Sequence, residues 1–193
     1  MSERTSFDAA RIRALIDESM DLIADGDAAE AQASAEAAAD ALDAAPDAAP
    51  GLVALLERLA SLFADIGAFD TARAARDRAL AIQRQHNDAG AVGESLLALA
   101  DLCCAQGDLD DASSYLAEAA TVFEALQQPD QLAQTLQNLA VVRLRVGDVQ
   151  DARALAKRAF EIYSSRGSPA HNADIAICNA ILDHLPDDLI GPK

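Results

Sequence analysis

The chain has 193 residues, enough for one domain with a substantial core. It carries 15 Lys+Arg against 32 Asp+Glu, a net charge of −17, which excludes the basic surface that nucleic acid or an anionic membrane requires. Alanine is the commonest residue, Trp is absent and aromatic residues make up only 4%, so the core must consist of many small contacts between closely packed helices, an all-α fold.

Met1-Ser2-Glu3-Arg4 is followed by no apolar run of the signal-peptide kind, and no window approaches 18 consecutive apolar residues, so the chain reads as cytoplasmic. The first predicted helix spreads Ile12, Leu15, Ile16, Met20, Leu22 and Ile23 around more than one face. A terminal helix apolar on two sides lies against something else: a second copy of the chain, forming a homodimer, or a client protein. Ile12, Ile16, Met20 and Ile23 are the candidate residues for that surface, and extra packing inside an irregular first hairpin is the competing reading. A glycine then ends the helix, and an alanine-rich second helix runs to Pro46 and Pro50, which break the chain.

That glycine, Gly26, returns as Gly67, Gly107 and Gly147, at spacings of 41, 40 and 40 residues. Five residues after each stands an alanine (Ala31, Ala72, Ala112, Ala152), and twelve after stands another (Ala38, Ala79, Ala119, Ala159). Eleven before stands a leucine (Leu15, Leu56, Leu96, Leu136). Eight and seven before stand Leu59-Ala60, Leu99-Ala100 and Leu139-Ala140, with Glu18-Ser19 in the first copy. Leucines three to four apart make the apolar stripe of a first helix, and a left-handed glycine ends it without a Cβ clash. Asp27, Asp108 and Asp148 follow as expected N-caps of a second helix, with Glu30, Asp111 and Asp151 completing a capping-box pattern. Each unit is thus a helical hairpin that buries its stripe only by stacking on its neighbours.

The phrases "NLA" at Asn138-Leu139-Ala140, "GAFDTA", "GDLDDA" and "GDVQDA" at the turns, and "RAL" at Arg78-Ala79-Leu80 resemble the tetratricopeptide repeat. The resemblance covers Ile12 to Arg166, with a period near 40 residues rather than the usual 34. The extra length is assigned to "RQHNDAG", "ALQQPDQ" and "SRGSPAHN", so that helices and outer connections are both longer. The implied fold is an α-solenoid of about four helix-turn-helix repeats in a single domain. The repeats cover residues 8–46, 51–86, 91–127 and 131–166, followed by a capping helix at 170–185 and a mobile tail at 186–193. Asp174, Asn179, Asp183 and His184 would give the capping helix its polar face.

The resemblance further implies a concave groove lined by the first helix of each repeat. Carried over position by position, the groove takes Arg58 and Asp65 from the second repeat and Asp101 from the third. The fourth supplies Gln134, Gln137, Asn138, Val141, Leu144 and Arg145. Asn138 occupies the place of the family amide that hydrogen-bonds a peptide backbone, a task suited to a group that both donates and accepts. Arg58 and Arg145 stand among acids, unlike the clustered cations of the family's carboxylate clamp. The expected occupant is therefore a protein or peptide with basic side chains. Arg143 stands in a packing column, either to hold an acidic group or to reach past an edge to water.

No catalytic constellation is present in the sequence. Cys103, Cys104 and Cys178 are an odd number without metal-ligand spacing, and His86, His171 and His184 form no helical metal pair. There is no phosphate loop and no nucleophile elbow. The expectation is a non-enzymatic adaptor that needs no cofactor and no metal. A ligand-sensing module for a signalling peptide or small molecule, or an enzyme with its site in the groove, are the alternatives.

Overall fold

The computed structural model describes residues 7–167 and 171–183. His184 and the tail at 186–193 therefore lie outside the described residues. The described residues form helices joined by short turns, and the chain divides into two compact units between Asp88 and Ala89.

In the first unit, α1 (Ala9–Asp25) pairs with α2 (Ala28–Asp43), α3 (Leu52–Asp65) pairs with α4 (Phe69–Gln85), and α3 also packs on α1 and α2. In the second, α5 (Ala89–Gln106) pairs with α6 (Leu109–Ala125) and α7 (Pro129–Arg145) with α8 (Val149–Arg166). There α7 also packs on α6, while α9 (Asn172–Asp183) lies on α7 and α8. This is an all-α helical-repeat fold, and its hairpins follow the sequence register closely.

Every alanine five or twelve residues after a turn glycine is 0% exposed. A side chain of one carbon lets the two helices of a hairpin approach closely, which is why alanine recurs there. Leu56, Leu96 and Leu136 are buried beside Leu59, Leu99 and Leu139. The eroded first repeat solves its register differently: Ser19 stands in an alanine column, fully buried, and its Oγ donates to the Ala31 carbonyl at 2.6 Å. Glu18, in the leucine column, stays exposed and accepts from Ser34 Oγ.

The turns are closed by backbone rather than by the expected capping boxes. Gly107 and Gly147 adopt φ of 88° and 87°, and the next N–H reaches back to the carbonyl five residues earlier, Asp108 to Cys103 and Asp148 to Arg143, each at 2.8 Å. Asp27, Asp108 and Asp148 do occupy the N-cap position, but their side chains make no cap hydrogen bond. Once the left-handed residue has turned the chain, the helix-end carbonyl takes the N–H of that very aspartate. Asp8, the N-cap of α1, does cap with its side chain, accepting from the N–H groups of Ala10 and Arg11.

The outer connections differ from expectation too. Only residues 86–88 separate α4 from α5 and only 126–128 separate α6 from α7, so the longer period is absorbed by helices of 17 or 18 residues. Asn87 and Gln127 adopt φ of 56° and 55°, and Gly167 adopts 61°. These three are again 40 residues apart and form a second column of left-handed helix ends, hidden in the sequence because only one of them is glycine.

Candidate binding face

The face proposed from sequence separates into three kinds of position, and helix geometry explains the division. Counted back from each turn glycine, places thirteen, six and two lie one or two turns apart on one side of the first helix. They are exposed throughout: Ala54, Ser61 and Asp65 on α3; Glu94, Asp101 and Ala105 on α5; Gln134, Val141 and Arg145 on α7. Place nine, holding Arg58 on α3 and Asn138 on α7, is half-buried beside that stripe. On α7, places ten and three turn toward α9.

Two candidates therefore leave the open face. Gln137, at place ten, is 7% exposed and lies under α9, where Cys178 Sγ donates to its Oε1 at 3.6 Å. Leu144, at place three, packs on the cluster of Ala140, Ala156 and Ile181 that seats α9. The lone terminal helix needs an apolar seat, and the sequence could not show which residues of α7 would form it.

In the first unit the same register extends to α1, where places nine and six are Asp17 and Met20. The guanidinium of Arg58 pairs with Asp17, and its Nη2 lies 3.8 Å from Met20 Sδ. Arg58 is thus already answered by a carboxylate within the face, and Asp17 joins the residues that sequence reading passed over. Of the apolar residues assigned to a partner surface, Ile12 and Ile16 are 2% and 0% exposed and fill the first hairpin, which corrects that assignment. Met20 is 51% exposed and Ile23 is half-buried, so these two still reach the surface.

In the second unit, α5 and α7 bring Asp101, Cys104 and Arg145 into one neighbourhood. Burial pushes the Cys104 thiol up; the Arg145 charge opposes that rise and Asp101 adds to it. Asn138 and the exposed Val141 lie on the same side of α7. Arg143 stands apart: it lies 3.8 Å from Asp148, the N-cap residue of its own hairpin, so its partner is structural.

Cys103 is fully buried in the cluster of Ala100, Ala112, Leu116, Leu139 and Val142, and none of the three cysteines is in a disulfide. No group of described residues has the composition of a metal site. No described helix is long and apolar enough to cross a membrane. His171, read from sequence as a connection residue, stands 4.9 Å from the Tyr163 ring and 3.7 Å from Asp130.

Residues 91–165 match the family model of the tetratricopeptide repeat. Among curated protein sequences, none matches the chain. Among solved structures, the apo form of RapI is similar with a TM-score of 0.76 at 11% identity, over 93% of this chain and 49% of that one. The nearly identical TPR-like repeats of a Podosopora anserina protein described as a kinesin light chain are similar at 0.69 and 18%, over 89% of this chain and 83% of that one. A Rap protein complexed with Competence and Sporulation Factor is similar at 0.59 and 14%, over 95% of this chain and 50% of that one. The chain thus spans about half the length of each Rap protein. At these identities the likeness is one of fold.

Proposed function

We propose that the chain, whose residues 91–165 match the tetratricopeptide repeat model, is a non-enzymatic scaffold that binds a protein or peptide on the exposed faces of its first helices. One observation carries this reading. The stripe of Gln134, Val141 and Arg145 on α7, flanked by Asn138, is left uncovered by the packing that buries Leu136, Gln137, Leu139 and Ala140. It offers an amide, an apolar contact and a charge side by side, the combination that reads an extended peptide. Glu94 and Asp101 on α5 and the net charge of −17 favour a partner with basic side chains.

The test is an affinity capture from source-cell lysate with the wild type beside an Asn138→Ala/Arg145→Glu double variant of unchanged melting temperature, each read by mass spectrometry. A protein held by the wild type and lost by the variant supports the reading. A partner held equally by both places binding elsewhere, with Met20 and Ile23 next to be changed.

A ligand-sensing module is the second reading, favoured by the fold shared with the Rap protein complexed with Competence and Sporulation Factor. It requires a large ligand-induced rise in melting temperature from a small molecule or short peptide alone.

A further inference from the structure

Among the described residues, α9 has no second helix to pair with, and it rests on α7 and α8. Of its twelve residues, Cys178 and Ile181 are the buried ones. Ile181 enters a cluster with Ala140 of α7 and Ala156 of α8, and Leu144 packs beside them. A helix of twelve residues is marginal in water by itself, so α9 depends on this seat for its form. Two buried side chains are a small anchor, and elements held so lightly open before the rest of a domain does.

The floor of the seat matches its occupant poorly. Gln137 is buried there, and its Oε1 accepts from Cys178 Sγ at 3.6 Å. A thiol is a weak donor, so this buried amide oxygen is answered by less than a hydroxyl or an amide would give it. The place of the seat is also telling. Gln137 and Leu144 lie on α7 beside the exposed stripe of Gln134, Val141 and Arg145, so α9 covers the ground next to the proposed binding face.

We propose that α9 is a displaceable cover, which opens while the rest of the second unit stays folded and whose seat then takes an amphipathic helix from a partner protein. The chemistry of that helix is read from the present occupant. It carries apolar side chains at the places of Ile175, Ile181 and Leu182, and a hydroxyl or amide in place of the Cys178 thiol to answer Gln137. The opening stands on the seat alone. The partner helix rests on the scaffold reading above, because the seat adjoins that face.

Iodoacetamide labelling of the folded whole chain tests the opening. A Cys104→Ser background of unchanged melting temperature leaves two thiols, Cys178 under α9 and Cys103 in the core of α5, α6 and α7. Both are 0% exposed, so each reacts only when its cover leaves. Peptide mass spectrometry should find Cys178 labelled at least about tenfold faster than Cys103, since local opening costs less than global unfolding. Ile181→Ala should speed Cys178 about tenfold or more without speeding Cys103. Gln137→Met, which removes the buried amide at constant length, should slow Cys178 about two- to tenfold. Equal rates for the two thiols, or a Cys178 rate that neither substitution moves, would overturn the opening.

The occupant is tested with a capped peptide of residues 171–183 carrying Cys178→Ser, beside a scrambled peptide of the same composition. Added to the Ile181→Ala chain, the ordered peptide should speed Cys178 labelling saturably by holding the seat, and the scrambled one should not. Equal action of the two, or none, overturns the partner helix. A Cys178 rate that rises with protein concentration gives the seat to a second copy's α9 and overturns it likewise. If the two thiols label alike while the lysate partner is still lost by the Asn138→Ala/Arg145→Glu variant, the cover falls and the scaffold reading stands. If the thiols separate while that variant keeps every partner, the cover stands and the scaffold face falls.

Discussion

Single residues in this chain are constrained chiefly by how near two helices come. Gly93 lies inside α5, where an added Cβ would stand 2.7 Å from two ring carbons of Phe123. That ring is itself 0% exposed and has no room to retreat. Gly93→Ala should therefore lower stability by about 1–3 kcal/mol despite its better helix propensity. A melting temperature at or above wild type would show that the two helices can separate. Cys178 gives a second case. Burial, then Asp174, pushes its thiol up to about 11 from the ordinary 9.0. Because the folded state holds the proton more tightly, the stability linked to this thiol is complete below about pH 9 and is lost as pH rises toward 11. Thermal melts of wild type and Cys178→Ala across that window should converge toward high pH. Parallel curves would contradict the assignment.

At the scale of elements, the joints carry the information. Arg78 of α4 ties down the end of α2: Nη1 donates to the Leu42 carbonyl and Nη2 to that of Ala45, each at 2.6 Å, and Asp47 accepts from Nε and Nη2. Pro46 prevents the helix from continuing; the Leu42 carbonyl keeps the Ala45 N–H at 3.0 Å, whereas the Ala45 carbonyl takes its donor from Arg78. Arg78→Ala should cost about 1–3 kcal/mol in denaturant melts, and Arg78→Lys should not restore it, because an ammonium cannot span the fork. The left-handed joints predict a gain. Gln127 adopts φ of 55° where Gly167 serves in the next copy. Gln127→Gly should raise stability by up to about 1 kcal/mol, the Cβ strain relieved less the entropy that glycine loses. A loss in stability would mean that the side chain itself matters there.

For the molecule as a whole, the dominant number is the net charge of −17. Self-repulsion of that size opposes compaction and is screened as the Debye length falls from about 30 Å at 0.01 M salt to about 8 Å at 0.15 M. The melting temperature should rise over that range; a fall would mean that ion pairs such as Arg166–Asp130 outweigh the repulsion. The same excess of acid favours cationic partners for the α7 face.

The helical hairpins were legible in the sequence because their determinants are local and repeated. Leucine columns at places eleven and eight, paired alanines and a turn glycine each act within one hairpin, and four copies place them in register. The exposed candidates Asp65, Asp101, Gln134, Val141 and Arg145 were legible for the same reason, since helix periodicity alone sends them away from the stripe. Tertiary structure decided what depends on a second element. Gln137 and Leu144 lie under α9, Arg58 is answered by Asp17 of another hairpin, and Ile12 and Ile16 fill the first hairpin instead of facing a partner. Tyr163 of α8, Asp130 of α7 and His171 just before α9 meet only in the fold. Periodicity assigns a residue to a side of its own helix, whereas burial and pairing depend on which neighbour covers that side, and the neighbour is chosen by packing.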